Sequence, residues 1–238
     1  APTASVLTFG PRRSVGLIDL RHGDLEAASM AIAHDACVYD QRACFSIRDV
    51  FCVGSDADLD RFSGALIDAL QHYENILPKG TLAEDEQAIT HLCVRCEEVF
   101  GGRVLRTSSG QSVVVISTQP DNRDHPLSRM VRLHLLGSGW EMLAYIDAEV
   151  QTVAAAPWST LIPLRDKLAA KGVSRMVELG MSNLFRSGGS HDDLYPMSRL
   201  VRFVSHEMPS AVFSKGMNIP VNQTEMIELG RATDLLGS

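Results

Sequence analysis

No stretch of the 238 residues is apolar for long enough to cross a bilayer, and the first residues lack the charged-then-apolar order of a secretory signal. The expectation is a soluble, cytoplasmic protein with no membrane span. Basic residues are outnumbered, 22 against 29 acidic, giving a formal charge of −7, and no basic cluster is interleaved with aromatics. Phosphate-tracking surfaces need such a cluster, so nucleic acid is not an expected partner. A Gly-x-Gly-x-x-Gly run after a strand is also missing, and Gly101-Gly102 follows a helical stretch in the wrong context for a dinucleotide turn. There is no internal repeat.

Disulfide spacing is absent too. The cysteines at 37, 44, 52, 93 and 96 are odd in number and suit a reducing compartment. Cys93-Val94-Arg95-Cys96 has the spacing of a redox or zinc pair, but no second Cys or His pair follows at the distance a structural zinc site needs. Ile89, Cys93, Cys96 and Phe100 recur at helical spacing, which puts both thiols on the apolar face of one helix, with no metal expected.

What is present suffices for a substantial core: 45% of the residues are apolar, enough for one large domain with appendages. Strands are expected at 15–18, 50–53, 113–116, 130–136, 142–146 and 173–179. Between them, Asp24 caps a helix with Leu25, Ala28, Ile32 and Ala36 on one face, and Asp56 caps another with a stripe of Leu59, Phe62, Leu66, Leu70 and Tyr73. Further helices are expected at 84–100 and at 159–171, the latter ended by Gly172, and residues 117–128 read as a loop. This alternation argues for an α/β fold with a largely parallel sheet flanked by helices.

Cys44, in Tyr39-Asp40-Gln41-Arg42-Ala43-Cys44-Phe45-Ser46, sits between an expected helix and an expected strand. A thiolate is nucleophilic near neutral pH and its sulfur leaves readily, so one Cys can accept an acyl group and release it again. A lone Cys is more often a small buried hydrophobe, which is the simplest reading of Cys37 and Cys52. Gln41 is expected to shape the turn by hydrogen bonding. His34 and Asp35 either tune the thiol or close the helix end as an ion pair. For His191 and Asp192, beside Gly188-Gly189, a polar corner of the site and a loop-stabilising histidine are equally open.

Several blocks together resemble a known family: Phe9-Gly10-Pro11-Arg12-Arg13-Ser14, Ala33-His34-Asp35, the cysteine turn, Leu164-Arg165-Asp166, Gly172-Val173-Ser174-Arg175, Glu178-Leu179-Gly180, Gly188-Gly189-Ser190-His191-Asp192 and Leu200-Val201-Arg202. Across roughly residues 8 to 208 the chain resembles the acyl-CoA reductase (LuxC-type long-chain fatty acyl reductase) family of the aldehyde dehydrogenase superfamily. The resemblance implies an aldehyde-dehydrogenase-like catalytic domain over 1–208, a C-terminal tail or arm over 209–238, and an NADP-binding half lying upstream of the catalytic part. It also implies Cys44 as the nucleophile, with Gln41, His191 and Asp192 supporting it. NADPH is then the cofactor and a fatty acyl thioester, acyl-CoA or acyl-protein, the substrate. A fatty aldehyde is the product, in some members for luminescence. Acyl-protein synthetase and acyl-transferase subunits are implied partners, and a homo-oligomer is expected.

Two positions depart from the family pattern. Near Thr8 no carboxylate stands where general aldehyde dehydrogenases carry the Glu that activates water, and Asp193 replaces a Gly after the His-Asp pair. The first departure counts against an oxidative NAD(P)-dependent aldehyde dehydrogenase, which remains one alternative. A non-redox acyl-relay subunit is the other, and the chain alone is expected to be an incomplete catalyst.

Overall fold

Strand β1 (Arg13–Asp19) is buried at five successive positions, as a strand covered on both faces must be. β2 (Ile47–Val53) repeats that pattern and runs parallel to it, with Leu17 opposite Phe51 and Ile18 opposite Cys52. A parallel pair needs a crossover, supplied by α1 (Leu25–Cys37). Asp24 starts this helix by accepting from the backbone N–H groups of Glu26 and Ala27 at 3.0 and 3.1 Å. Ala28, Ile32 and Ala36 form its buried face.

The computed structural model describes residues 10–118 and 125–195, together with Ser198, Leu200, Val201, Val204 and Ser205. The chain divides into two compact units, 1–196 and 197–238, and the whole of the sheet lies in the first. The boundary expected at 208 and the tail after it lie outside the described residues, as does the middle, 119–124, of the loop expected at 117–128.

The remaining strands are β3 (Arg103–Arg106), β4 (Val113–Ile116), β5 (Met130–Leu136), β6 (Val150–Ala156) and β7 (Arg175–Glu178). They complete a sheet of order β3-β4-β5-β2-β1-β6-β7, parallel throughout except for the antiparallel pair β3–β4. The α/β expectation is borne out. On one face α1 and α2 (Asp56–Ile76) bury Ile32, Phe62, Leu66 and Leu70 against Val50, Val114 and Leu133. The opposite face, with Leu17, Phe51 and Val153, is covered by short 3-10 turns and by α4 (Arg165–Ala170) through Met142, Leu161 and Leu168.

Several expectations need correction. Ser55, not Asp56, caps α2: its hydroxyl accepts from the Asp58 N–H while the Asp58 carboxylate accepts from the Ser55 N–H. Residues 142–146 are not a strand: a 3-10 turn, Gly139–Tyr145, stands there, started by the Ser138 hydroxyl accepting from Trp140. The helix expected over 159–171 is broken into the 3-10 turns Trp158–Thr160 and Ile162–Leu164 before α4, since Pro163 offers no N–H to a longer helix.

Helix α3 (Glu84–Val99) presents a different face from the expected one. Ile89 and Phe100 are each 51% exposed, Cys93 and Cys96 are half-buried, and the helix buries Val94 and Glu97 instead. A buried cation sets this orientation. Arg132 on β5 lies 3.8 Å from the Glu97 carboxylate, which also accepts from the Ser117 hydroxyl at 2.9 Å. Among the described residues, no group of three or more His, Cys, Asp or Glu side chains could hold a metal.

Arg132 also faces Asp49 across the sheet at 3.6 Å, and His134 Nε2 lies 2.8 Å from the same Asp49 oxygen. Burial pushes the Asp49 carboxyl up, but the His134 hydrogen bond and the Arg132 charge prevail and hold it below the usual carboxylate range. Replacing Asp49 by Ala is expected to cost about 3–5 kcal/mol, the scale for breaking a buried pair. Because the folded-state pKa is depressed, the contribution is complete above the unfolded value of about 3.9 and is lost as pH falls below it. Urea unfolding at pH 7 and pH 3.5 should therefore show a wild-type advantage over Asp49→Ala that narrows on acidification.

Candidate functional site

After α1 the chain must turn sharply to enter β2. Tyr39, Asp40 and Gln41 do so with φ of 66, 50 and 58°. Left-handed backbone costs roughly 1–2 kcal/mol for each such residue, so the turn persists only with support from around it. Gln41 provides part of that support. It is fully buried, and its Nε2 donates to the Ile47 carbonyl at 2.9 Å and the Met130 carbonyl at 2.8 Å, tying the turn to β2 and β5. Asp40 accepts from the Gly80 N–H at 3.0 Å.

Cys44 follows, half-buried at the amino end of β2. Its carbonyl accepts from the Ser14 hydroxyl at 2.9 Å, and the Ser46 N–H donates to Ala43 at 3.0 Å, closing the turn. Arg12 and Arg13 work on the other side of β1. Arg13 pairs with Asp147 at 2.8 Å, and Arg12 donates to the Ala148 carbonyl.

A line of rings connects the cysteine turn to the block after β7. Phe45 meets Tyr39 edge-on at 5.7 Å and Phe185 at 4.9 Å, and Phe185 in turn meets His191 at 6.1 Å. The Arg175 guanidinium lies 4.3 Å over the Phe185 ring. Cys44 and the His191-Asp192 pair are thus linked through Phe45 and Phe185. Sequence reasoning misses both rings, since the only local signal is that Phe45 stands next to Cys44. Asp35 anchors the same block, accepting from the backbone N–H groups of Gly180 at 2.8 Å and Ser182 at 3.2 Å. Burial pushes the Asp35 carboxyl up against the pull of those bonds. His34 turns elsewhere, to the Tyr73 hydroxyl at 3.1 Å, so the two residues serve separate partners instead of closing the helix as an ion pair.

His191 and Leu194 exchange backbone hydrogen bonds of 2.7 and 2.9 Å around Asp192 and Asp193, whose φ values are 47 and 65°. This is the type I′ geometry that favours glycine at both central positions, so Asp193 occupies a place where Gly would be unstrained. The His191 Nδ1 lies 3.8 Å from the Asp192 carboxylate, an ion pair whenever the imidazole is protonated. The position near Thr8 lies outside the described residues.

A cleft of about 560 Å³ opens beside Phe185, walled by Trp158, Met181 and Leu184 with Arg175 and Arg186. A second, of about 520 Å³, lies at the carboxyl ends of β1 and β2 between Asp19, His22, Val53, Trp140 and Thr160. Cys44 stands at the other end of β2. Phe185, on the wall of the first cleft, meets the ring of Phe45, the residue after Cys44.

Two other thiols, Cys37 and Cys52, are buried and poorly placed for chemistry. Burial pushes the Cys37 thiol up to about 12, and burial raises Cys52 as well. In the native protein at pH 7.5, iodoacetamide should modify Cys44, whereas Cys37 and Cys52 should react only after denaturation; peptide mass mapping before and after unfolding checks this.

Solved structures show which class of fold this is. The indole-3-acetaldehyde dehydrogenase AldA of P. syringae, in complex with NAD+ and IAA, aligns over 75% of this chain and 40% of its own, with a TM-score of 0.55 at 11% identity. NADP-dependent glyceraldehyde-3-phosphate dehydrogenase from Bacillus halodurans, complexed with NADP, aligns over 70% of this chain and 38% of its own at a TM-score of 0.52 and 13% identity. The fold is that of an aldehyde dehydrogenase domain.

Residues 1–203 match the acyl-CoA reductase (LuxC) family, and the chain belongs to it. The long-chain acyl-protein thioester reductase of Aliivibrio fischeri is 41% identical over 229 residues, covering 95% of this chain and 47% of that protein. The corresponding protein of Vibrio harveyi is 38% identical over 225 residues, covering 94% and 46%. The chain therefore spans about half the length of the curated relatives it matches. Among the described residues, no helix is long and apolar enough to cross a membrane.

Proposed function

We propose that this chain carries the acyl-accepting cysteine of a fatty acyl thioester reductase, with Cys44 as the nucleophile. One observation carries the reading: in a member of the LuxC family, Cys44 is a half-buried thiol on a braced turn at the amino end of β2, while Cys37 and Cys52 are core residues. The Cys44 sulfur bonds to the carbonyl carbon of an acyl-CoA or acyl-protein thioester as the bond from that carbon to the donor sulfur breaks. The donor leaves as a thiol, taking up the proton that Cys44 gave up. Backbone N–H groups of the turn are the natural donors to the oxyanion of the tetrahedral intermediate. Gln41 holds the turn in shape, and His191 and Asp192 form a polar corner reached through Phe185.

NADPH, when bound, would supply the hydride; as the aldehyde forms, the bond from its carbon to the Cys44 sulfur breaks and the thiolate is free again. The described residues hold no Gly-x-Gly-x-x-Gly turn between strand and helix, so the chemistry assigned to them stops at acyl transfer. Residues 1–208 are taken as the catalytic domain, cytoplasmic, working as a homo-oligomer with acyl-protein synthetase and acyl-transferase subunits.

Intact mass spectrometry after incubation with a long-chain acyl-CoA tests the proposal. A single hydroxylamine-labile acyl adduct is expected on the wild type and none on Cys44→Ser. An adduct that persists in the variant would move the nucleophile elsewhere. An adduct that hydrolyses quickly without NADPH would favour an oxidative aldehyde dehydrogenase.

A further inference from the structure

We propose that Arg129 is a positioning residue for Cys44, fixing through Asp40 the turn that presents the thiol; this rests on the reading of Cys44 as the acyl acceptor. Arg129 is 1% exposed, and its guanidinium gathers three acceptors from three segments. Nε donates to the Asp40 carboxylate at 2.6 Å, Nη1 to the Leu77 carbonyl at 2.9 Å, and Nη2 to the Cys37 carbonyl at 3.4 Å. These are the turn itself, the exit of α2 and the last residue of α1.

The backbone around Arg129 makes the same connection. Leu127, Ser128 and Arg129 have φ of 62, 65 and 56°, a second run of three left-handed residues, and the Ser128 N–H donates to the Asp40 carbonyl at 3.2 Å. Lys79 closes the arrangement from α2's side, donating to the Ser128 carbonyl at 2.8 Å and the Gln111 carbonyl at 2.7 Å. Two strained runs thus lie against each other, and neither is a conformation its residues prefer alone.

Burying a guanidinium is expensive, and apolar residues of similar volume often stabilise a fold as well or better. Direction is what the ion pair adds. A planar fork bonded to Asp40, Leu77 and Cys37 fixes where the turn sits, whereas an apolar contact would let it slide. Asp40 precedes Cys44 by four residues, and the Ser14 bond to the Cys44 carbonyl fixes the far side. The thiol is therefore held between two anchors, and loosening one displaces it.

The test compares Arg129→Met, Arg129→Lys and Asp40→Asn with wild type. Asn tolerates the left-handed backbone but has a single acceptor oxygen, so Asp40→Asn removes the charge and gives up either the Arg129 or the Gly80 bond with little change of shape. Three quantities are read: the rate of Cys44 acylation by a long-chain acyl-CoA, the rate of Cys44 alkylation by iodoacetamide relative to Cys96 on α3, and the melting temperature. Arg129→Met should slow acylation by about 10²-fold, the cost of roughly 1 Å of misplacement. Arg129→Lys and Asp40→Asn, each keeping part of the bonding, should each recover part of that loss. The Cys44-to-Cys96 alkylation ratio should shift in the same order.

An unchanged ratio and acylation rate in folded Arg129→Met would overturn the proposal, as would changes that merely track melting temperature across the three variants. If Arg129→Met does not fold, Arg129→Lys carries the same comparison. If wild type takes up no acyl group, the nucleophile reading fails, and the alkylation ratio decides alone whether Arg129 positions the thiol.

Discussion

The parallel pairing of β1 with β2 is the constraint on which the rest of the site depends. Two parallel neighbours must begin at the same edge of the sheet, so the chain leaving β1 has to travel back before β2 can start. The thirteen residues of α1 cover roughly 20 Å at 1.5 Å per residue, close to the length of the seven-residue strand they return past. Nine residues, 38 to 46, then remain to reverse direction and enter the sheet. A connection that short, pressed against β5, takes left-handed conformations at Tyr39, Asp40 and Gln41 and needs buried polar side chains to hold them. The exposure of Cys44 at the amino end of β2 is a consequence of this topology.

Polarity along the sheet is graded in the same sense. On one face β2 presents Asp49, then Phe51, then Val53, and its neighbour β5 presents Arg132, His134 and Leu136. Charge therefore collects towards the amino end, where Arg132 lies between the Asp49 and Glu97 carboxylates and His134 bonds Asp49, and apolar packing takes over towards the carboxyl end. A buried cation without carboxylates would be prohibitive, which is why α3 turns Glu97 inward and leaves Ile89 outside.

The same grading decides which elements are legible in the sequence and which are hidden. β1, β2, β4 and β5 announce themselves as apolar runs because both faces are covered, and the α2 stripe Leu59, Phe62, Leu66 and Leu70 packs as its spacing requires. β6 escapes notice because Val150–Ala156 ends in three alanines, which have little intrinsic strand preference and join the sheet by pairing with β1 and β7. The face of α3 is misjudged because hydrophobic periodicity takes no account of a buried arginine on another strand. At the site, the turn-shaping bonds of Gln41 are anticipated locally, whereas Cys44 is singled out only by the resemblance of several blocks together. Asp40 with Arg129, and Phe45 with Phe185, are not anticipated, since each joins segments separated by more than eighty residues and no local signal predicts which distant side chain closes a turn.

The two clefts finally separate what the fold offers from what the cysteine uses. In doubly wound sheets the carboxyl ends of the strands form the usual binding crevice, and the hollow between Asp19, Val53, Trp140 and Thr160 occupies that place. Yet the backbone braced most heavily lies at the opposite end, where three left-handed residues are held by Gln41 and Asp40. Strain of that kind is retained only where surrounding structure over-determines it. An acyl chain on Cys44, in the proposed reading, starts beside Phe45, whose ring meets Phe185 on the wall that Met181 and Leu184 share. On the proposed reading, then, reactivity is set by the crossover geometry at the amino edge, and the apolar path is set by the block after β7 that Asp35 pins to α1.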